Sequence, residues 1–297
     1  MTFRPTLSPA AGMFLVTLFW GGNFTATKVA FADLPPLAFT ALRFALATLV
    51  LWIIHRQVEG RRPLPPGVVP KLIALGVIGN TAYQLCFVEG LARTSATKSA
   101  LILSGLPVMV TLAAWLLKVE TVSARQRWAV VVASVGVVAV LFARGGSIGG
   151  GVGTGDLLLL GGVVTWTVYT LLMRKWALPV STLTLTAWTM YTGTPGLVLA
   201  GVPQLLKVEW ATVSLAGWGG LLYAALLSLV AAYLLWNRGV AELGAARASL
   251  FNCLVPFVAA VIAFVALGER PGVLHLVGGA LIIAGVLMTR QAPAPEG

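Results

Sequence analysis

Nine residues with ring, amide or hydroxyl side chains stand deep inside long apolar runs: Trp20, Asn23, Tyr83, Gln84, Ser104, Trp166, Tyr169, Tyr233 and Asn252. Asn80, Trp188 and Tyr191 accompany them, with Trp236 and Asn237 nearer the end of a run. Aromatic rings offer flat apolar surface, and amides and hydroxyls offer donors and acceptors. Together they suit noncovalent recognition of a flat, amphipathic solute of amino-acid size. An amide inside a bilayer is costly unless it meets a partner or lines a wet cavity. For any single residue, interhelical packing and solute contact are equal readings. As a set drawn from several spans, the residues predict a lined cavity.

Charge inside the apolar runs is confined to Lys28 and Arg43, and Asp33 and Glu89 stand at a similar depth. Lys28, Arg43 and Glu89 read either as structural ion pairs or as a gate that attracts carboxylates. Pro107 and Pro256 each remove a backbone donor inside an apolar run, which makes them static kinks or hinges. Pro195 adds a further kink.

Bond chemistry lacks its residues. No H-E-x-x-H or C-x-x-C is present, and no lysine follows a glycine loop in the nucleotide-binding pattern. His55 and His275 are isolated, and Cys86 and Cys253 sit in apolar runs as small hydrophobes. Residues 145–155 hold seven glycines without Lys-Ser/Thr and read as a flexible connector. No catalytic residue, metal site or cofactor is expected. An intramembrane enzyme, the alternative of another class, would need a Ser, His, Asp or metal constellation, and none is visible.

The elements that would carry these residues follow from composition. The chain has 297 residues, 58% hydrophobic and 10% charged, with mean hydropathy +0.93. A soluble domain averages about a quarter charged, so a water-soluble enzyme and a disordered chain are excluded. Uncharged runs mark ten spans at residues 5–27, 37–54, 72–88, 99–117, 128–143, 157–173, 176–206, 210–237, 248–268 and 271–289, the second containing Arg43. The first run, with Arg4 ahead and Ala30-Phe31-Ala32 behind, has features of a secretory signal. Its length and the intruding Lys28 favour an uncleaved helix. The lipid bilayer is therefore the expected partner.

Net charge is +11, from 20 Lys+Arg against 9 Asp+Glu. The bases lie between the runs, which fits the positive-inside rule and argues against nucleic acid. With the N-terminus in the cytoplasm, cytoplasmic segments hold 13 Lys+Arg and the opposite segments 5. Both termini are expected in the cytoplasm of a cell whose inner membrane holds the chain.

An internal repeat organises the spans. Residues 89–137, shifted by 149, overlay 238–286 without a gap: Gly90 meets Gly239, Pro107 meets Pro256, Glu120 meets Glu269 and Gly136 meets Gly285. Earlier in the chain the offset is 146, as for Trp20 with Trp166. Five spans per half is an odd number, so the second copy enters from the opposite side. Inverted repeats of this kind mark secondary transporters. The expected organisation is a first repeat over 1–144, a connector over 145–155 and a second repeat over 156–297. Small-residue pairs Ala129/Ala133 and Ala280/Ala284 allow helix packing, within the chain or between copies.

The motifs Trp20-Gly21-Gly22-Asn23-Phe24…Lys28, Ala41-Leu42-Arg43-Phe44, Gly105-Leu106-Pro107 and Leu267-Gly268-Glu269 resemble the drug/metabolite transporter superfamily, EamA type. The resemblance covers nearly the whole chain. It implies an all-α membrane protein of ten transmembrane helices in two inverted five-helix repeats. The aromatic richness looks most like the aromatic amino acid exporter (YddG-type) branch. That likeness implies export of aromatic or hydrophobic amino acids by alternating access, with other metabolites or cationic drugs as the alternative cargo.

Overall fold

The computed structural model describes residues 7–60, 63–93, 102–103, 105–119, 121–142, 153–267 and 273–290, and among these the regular elements are helical, without a strand. In chain order, α1 is Pro9–Ala30, α2 Pro36–Val58, α3 Val68–Arg93, α4 Leu106–Leu116 and α5 Ala124–Phe142. They are followed by α6, Thr154–Trp176, α7, Thr182–Leu205, and α8, Leu215–Leu243. A short helix, Ala245–Leu250, runs through a 3-10 turn, Phe251–Cys253, into α9, Leu254–Leu267, and α10 is Val273–Arg290.

Among the described residues, α2, α3, α6 and α8 are long and apolar enough to cross a membrane by length and composition. With 24 residues, α7 matches them in length but carries six threonines. Local chemistry sets the ends. Ser8, Ser181 and Ser214 accept from the backbone N–H groups of Ala11, Thr184 and Gly217, capping α1, α7 and α8. Asp156 accepts from the N–H of Gly153 at 2.8 Å ahead of α6. Gly244, at φ 88°, breaks the chain between α8 and the next helix in a conformation that a Cβ would disfavour.

Several helices overrun the uncharged stretches. The run over 210–237 becomes Leu215–Leu243, and the run over 72–88 becomes Val68–Arg93. Charges mark where hydrocarbon ends, while helical hydrogen bonding continues through the interface. One consequence is that Trp236 and Asn237 stand inside α8 and are buried.

Both α3 and α8 contain a π-helical stretch, Val77–Ala82 and Ala224–Ala231. A π turn shifts carbonyls off the α register and makes them available to neighbours. Packing joins α2 to α7, α5 to α10, α3 to α6, α1 to α8 and α9, and α4 to α6. Close approach depends on glycine in the α5–α10 pair. A Cβ on Gly136 would stand 2.6 Å from the carbonyl oxygen of Gly278, and one on Gly285 would stand 2.7 Å from the Ala133 Cβ. Ala129 and Ala133 thus serve packing within the chain, whereas Ala280 and Ala284 are exposed.

Large apolar side chains face outward, among them Leu215 at 90% exposure and Trp128 at 65%. Inside lie Arg43, Asn80, Gln84 and Asn237 with several threonines. An apolar exterior around a polar-threaded interior is the arrangement a bilayer favours.

Candidate functional site

Six aromatic side chains from four helices meet in the interior. Trp20 comes from α1, Tyr83 from α3, Trp166 and Tyr169 from α6, and Tyr233 and Trp236 from α8. Trp166 is the hub: its ring centroid is 5.7 Å from Trp20, 4.7 Å from Tyr83, 5.3 Å from Tyr169, 5.7 Å from Tyr233 and 5.7 Å from Trp236. Trp20 also contacts Trp236 at 5.3 Å and Tyr233 at 6.2 Å. Edge-to-face and tilted contacts at these distances are favourable because ring edges are positive and ring faces negative.

The π stretches position this cluster. Ser228, inside Ala224–Ala231, offers its carbonyl to the Trp20 Nε1 donor at 3.0 Å, while its hydroxyl donates to the Phe19 carbonyl at 3.1 Å. In Val77–Ala82, Gly79 receives the Tyr169 ring, where a Cβ would stand 2.5 Å from the ring's Cγ. Both stretches lie one turn or less before cluster residues, Tyr83 and Tyr233, so the bulges set the direction from which these rings enter.

Polar groups frame the rings. The Tyr169 hydroxyl donates to Asn237 Oδ1 at 2.8 Å, and Asn237 Nδ2 donates to the Thr186 hydroxyl at 2.8 Å. Asn80 Nδ2 donates to the Thr189 carbonyl at 2.8 Å. Arg43, 2% exposed, donates through Nη2 to Gln84 Oε1 at 2.7 Å. Gln84 Nε2 in turn donates to the Tyr233 hydroxyl at 3.5 Å. Buried polar atoms without a protein partner include Trp236 Nε1, Arg43 Nε, Asn23 Oδ1 and Asn252 Oδ1.

The structure therefore brings together Trp20, Tyr83, Gln84, Trp166, Tyr169 and Tyr233 from the expected set. Asn23 and Asn252 are half-buried on α1 and the 3-10 turn, and no hydrogen bond ties them to the rings. Ser104 lies outside the described residues, as does the side chain of Lys28. Glu89 pairs with Arg93 one turn along α3, and Asp33 holds the Ser214 backbone N–H at 3.0 Å and the Ser214 hydroxyl. Arg43 joins neither carboxylate. Pro107 is the second residue of α4 and Pro256 the third of α9. In a first turn the missing donor would be unbonded anyway, so the interruption lies ahead of each proline rather than at it.

Arg238 ends the uncharged run just after Trp236 and Asn237, yet the helix runs on to Leu243. The break at Gly244 was the available signal that the helix continues. His55 also proves less isolated than its surroundings in the chain suggest. Its Nε2 lies 3.1 Å from the Thr184 hydroxyl, and its Nδ1 lies 3.3 Å from the Tyr191 hydroxyl. Glu59 accepts from both Ser181 and Thr184, tying the end of α2 to the start of α7. At the other end of that pair, Gln204 Oε1 accepts from the N–H groups of Leu37 at 2.8 Å and Ala38 at 3.2 Å. No group of His, Cys, Asp and Glu able to hold a metal occurs among the described residues. The arrangement offers ring faces and hydrogen-bonding groups for noncovalent contact.

Comparison with known proteins gives a consistent picture. The model of the EamA-like transporter family matches residues 7–142 and 153–291. "Uncharacterized transporter YyaM" of Bacillus subtilis (strain 168) is 31% identical over 277 residues, covering 91% of this chain and 90% of its own. "Probable terminal-alkyne amino-acid exporter" of Streptantibioticus cattleyicolor is 29% identical over 280 residues, covering 93% and 91%. A solved crystal structure with 18% identity superposes with a TM-score of 0.76 over 95% of this chain and 96% of that one, a likeness of fold alone.

Proposed function

The chain belongs to the EamA-like transporter family, and from that premise we propose that it exports small amphipathic solutes, aromatic or hydrophobic amino acids foremost, by alternating access. It is a multi-pass membrane protein. The proposed architecture is ten transmembrane helices in two inverted repeats, 1–144 and 156–297, joined by residues 145–155, with both termini cytoplasmic in the inner membrane.

Several contacts support the two-repeat reading. An axis relating two copies brings equivalent residues face to face. Trp20 meets Trp166 at an offset of 146, and Thr48 meets Thr194 at the same offset. Gln84 meets Tyr233 at an offset of 149. Contacts off the axis come in reciprocal pairs. Gly136 packs on Gly278 and Ile282, and Gly285 packs on Ala129 and Ala133, each partner shifted by 149. Shifted likewise, Val77–Ala82 falls on residues 226–231, within the second π stretch.

The observation that carries the functional reading is the ring cluster around Trp166, with Gln84, Asn237 and Arg43 beside it. Flat rings offer apolar faces and positive edges on which an aromatic solute can pack. The relative named as an amino-acid exporter supports that solute class. Trp20, Asn23, Tyr83, Gln84, Ser104, Trp166, Tyr169, Tyr233 and Asn252 are the proposed substrate contacts, and the helix starts at Pro107 and Pro256 the proposed bending points. Radiolabelled L-phenylalanine flux in proteoliposomes tests the reading. Uptake driven by preloaded unlabelled substrate is expected, and no flux above protein-free vesicles would sink it.

A further inference from the structure

Among the described residues, Arg43 is a buried cation without a counter-ion. Six of the chain's nine acidic residues are described, and each is accounted for elsewhere. Asp33 holds Ser214, Glu59 holds Ser181 and Thr184, Glu89 pairs with Arg93, and Glu242 pairs with Arg238. Asp156 accepts from the Gly153 backbone, and Glu209 is exposed. Among the described residues no carboxylate lies within ion-pair distance of the guanidinium.

What surrounds Arg43 offsets its burial only in part. The Phe39 and Phe44 rings lie 5.2 Å and 5.6 Å from its central carbon. Such contacts are weaker than a paired carboxylate. One donor goes to the neutral amide of Gln84, and Nε is buried with no partner. A guanidinium stays protonated and presents a planar fork of donors matched to a carboxylate. A buried, incompletely bonded charge is expensive to keep. A site of this kind is completed by an anion from outside the chain.

The surroundings also fix where that anion would sit. Gln84 follows Tyr83 in α3 and bonds the Tyr233 hydroxyl, and both rings pack on Trp166. The guanidinium thus adjoins one edge of the ring cluster.

Building on the reading above, we propose that Arg43 binds the carboxylate of the transported solute, whose apolar ring lies among Trp20, Trp166 and Tyr233. The solute class is therefore a carboxylate-bearing aromatic compound. A cationic drug would be repelled by the same group. Beside its proposed solute contact, Gln84 also holds the guanidinium fork toward the rings.

The test compares three ligands with one ring: L-phenylalanine, 3-phenylpropionate, which lacks the amine, and L-phenylalaninamide, which lacks the carboxylate. Binding to the purified full-length protein is read from tryptophan fluorescence. A charged hydrogen-bonded contact implies that both carboxylates bind at least about tenfold tighter than the amide. That ratio should fall to about one in Arg43→Met and be partly kept in Arg43→Lys, because lysine keeps the charge and loses the fork. Equal binding of the amide, no binding of either carboxylate, or an intact ratio in Arg43→Met would each overturn the assignment. The wild-type comparison decides alone if the methionine variant does not fold. No L-phenylalanine flux with the ratio intact removes the export reading and leaves Arg43 assigned, and flux without a carboxylate preference does the reverse.

Discussion

The hydroxyls of Thr48 in α2 and Thr194 in α7 share a hydrogen bond of 2.6 Å across 146 positions of sequence. Under the proposed two-repeat architecture these residues are equivalents, and their contact lies on the axis relating the halves. If inward-open and outward-open conformations exchange through that axis, a contact between equivalents maps onto itself and persists in both. A contact confined to one end does not.

This distinction predicts two opposite cross-linking results. A disulfide joining Thr48→Cys to Thr194→Cys should leave on the order of half or more of the transport rate, because the joined atoms need not separate. Glu59 and Ser181 tie the ends of α2 and α7 that the proposed orientation puts in the cytoplasm. A short cross-link between Glu59→Cys and Ser181→Cys should stop turnover until reductant is added. Arrest by the first link, or free transport with the second, would show that the halves move about another line.

The ring cluster predicts graded losses on truncation. Trp166→Ala removes contacts to five neighbouring rings. At about 0.5–1.5 kcal/mol per ring contact beyond area, a solute that loses one such contact should bind about 2- to 13-fold more weakly. Trp20→Ala, Tyr83→Ala and Tyr233→Ala should alter affinity or selectivity while the protein still inserts. Unchanged kinetics in all four variants would move the binding site elsewhere.

Topology is open to labelling. Gln57, near the end of α2, and Lys207, after α7, are both exposed. The proposed orientation puts Gln57 inside and Lys207 outside. With Cys86 and Cys253 replaced by alanine, an impermeant maleimide added to intact cells should label Lys207→Cys and spare Gln57→Cys. The reverse pattern would invert the chain in the membrane.

Coupling has its own expectation. A proton-driven exchanger usually needs a titratable group deep in the membrane, yet Glu89 lies one turn from the end of α3 and pairs with Arg93. Counterflow without a pH gradient should run at full rate, and Glu89→Gln should keep on the order of half that rate or more. Accumulation driven by an imposed pH difference and abolished in Glu89→Gln would establish proton coupling through this residue.

Much of the molecule was legible along the chain because its signals are local. An apolar run excludes charge wherever it crosses hydrocarbon, so the uncharged stretches located the helices. The offset that pairs Trp20 with Trp166 was visible as spacing, as was the central depth of Tyr83, Gln84 and Tyr233. The helix ends were less legible, since charged residues such as Arg238 mark the membrane boundary and not the end of hydrogen bonding.

The tertiary structure decided which of these residues meet. Depth along a helix follows from counting residues, but direction around it depends on packing and on the π stretches, which rotate everything beyond them. Beyond the second such stretch, Trp236 stands in the cluster beside Trp20. Partner choice among charges was equally hidden. Glu89 and Arg43 stand at similar depth in the sequence, yet Glu89 takes Arg93 one turn along its own helix and Arg43 takes Gln84. An ion pair forms where side chains face each other within a few ångströms, and only the packed helices set that facing.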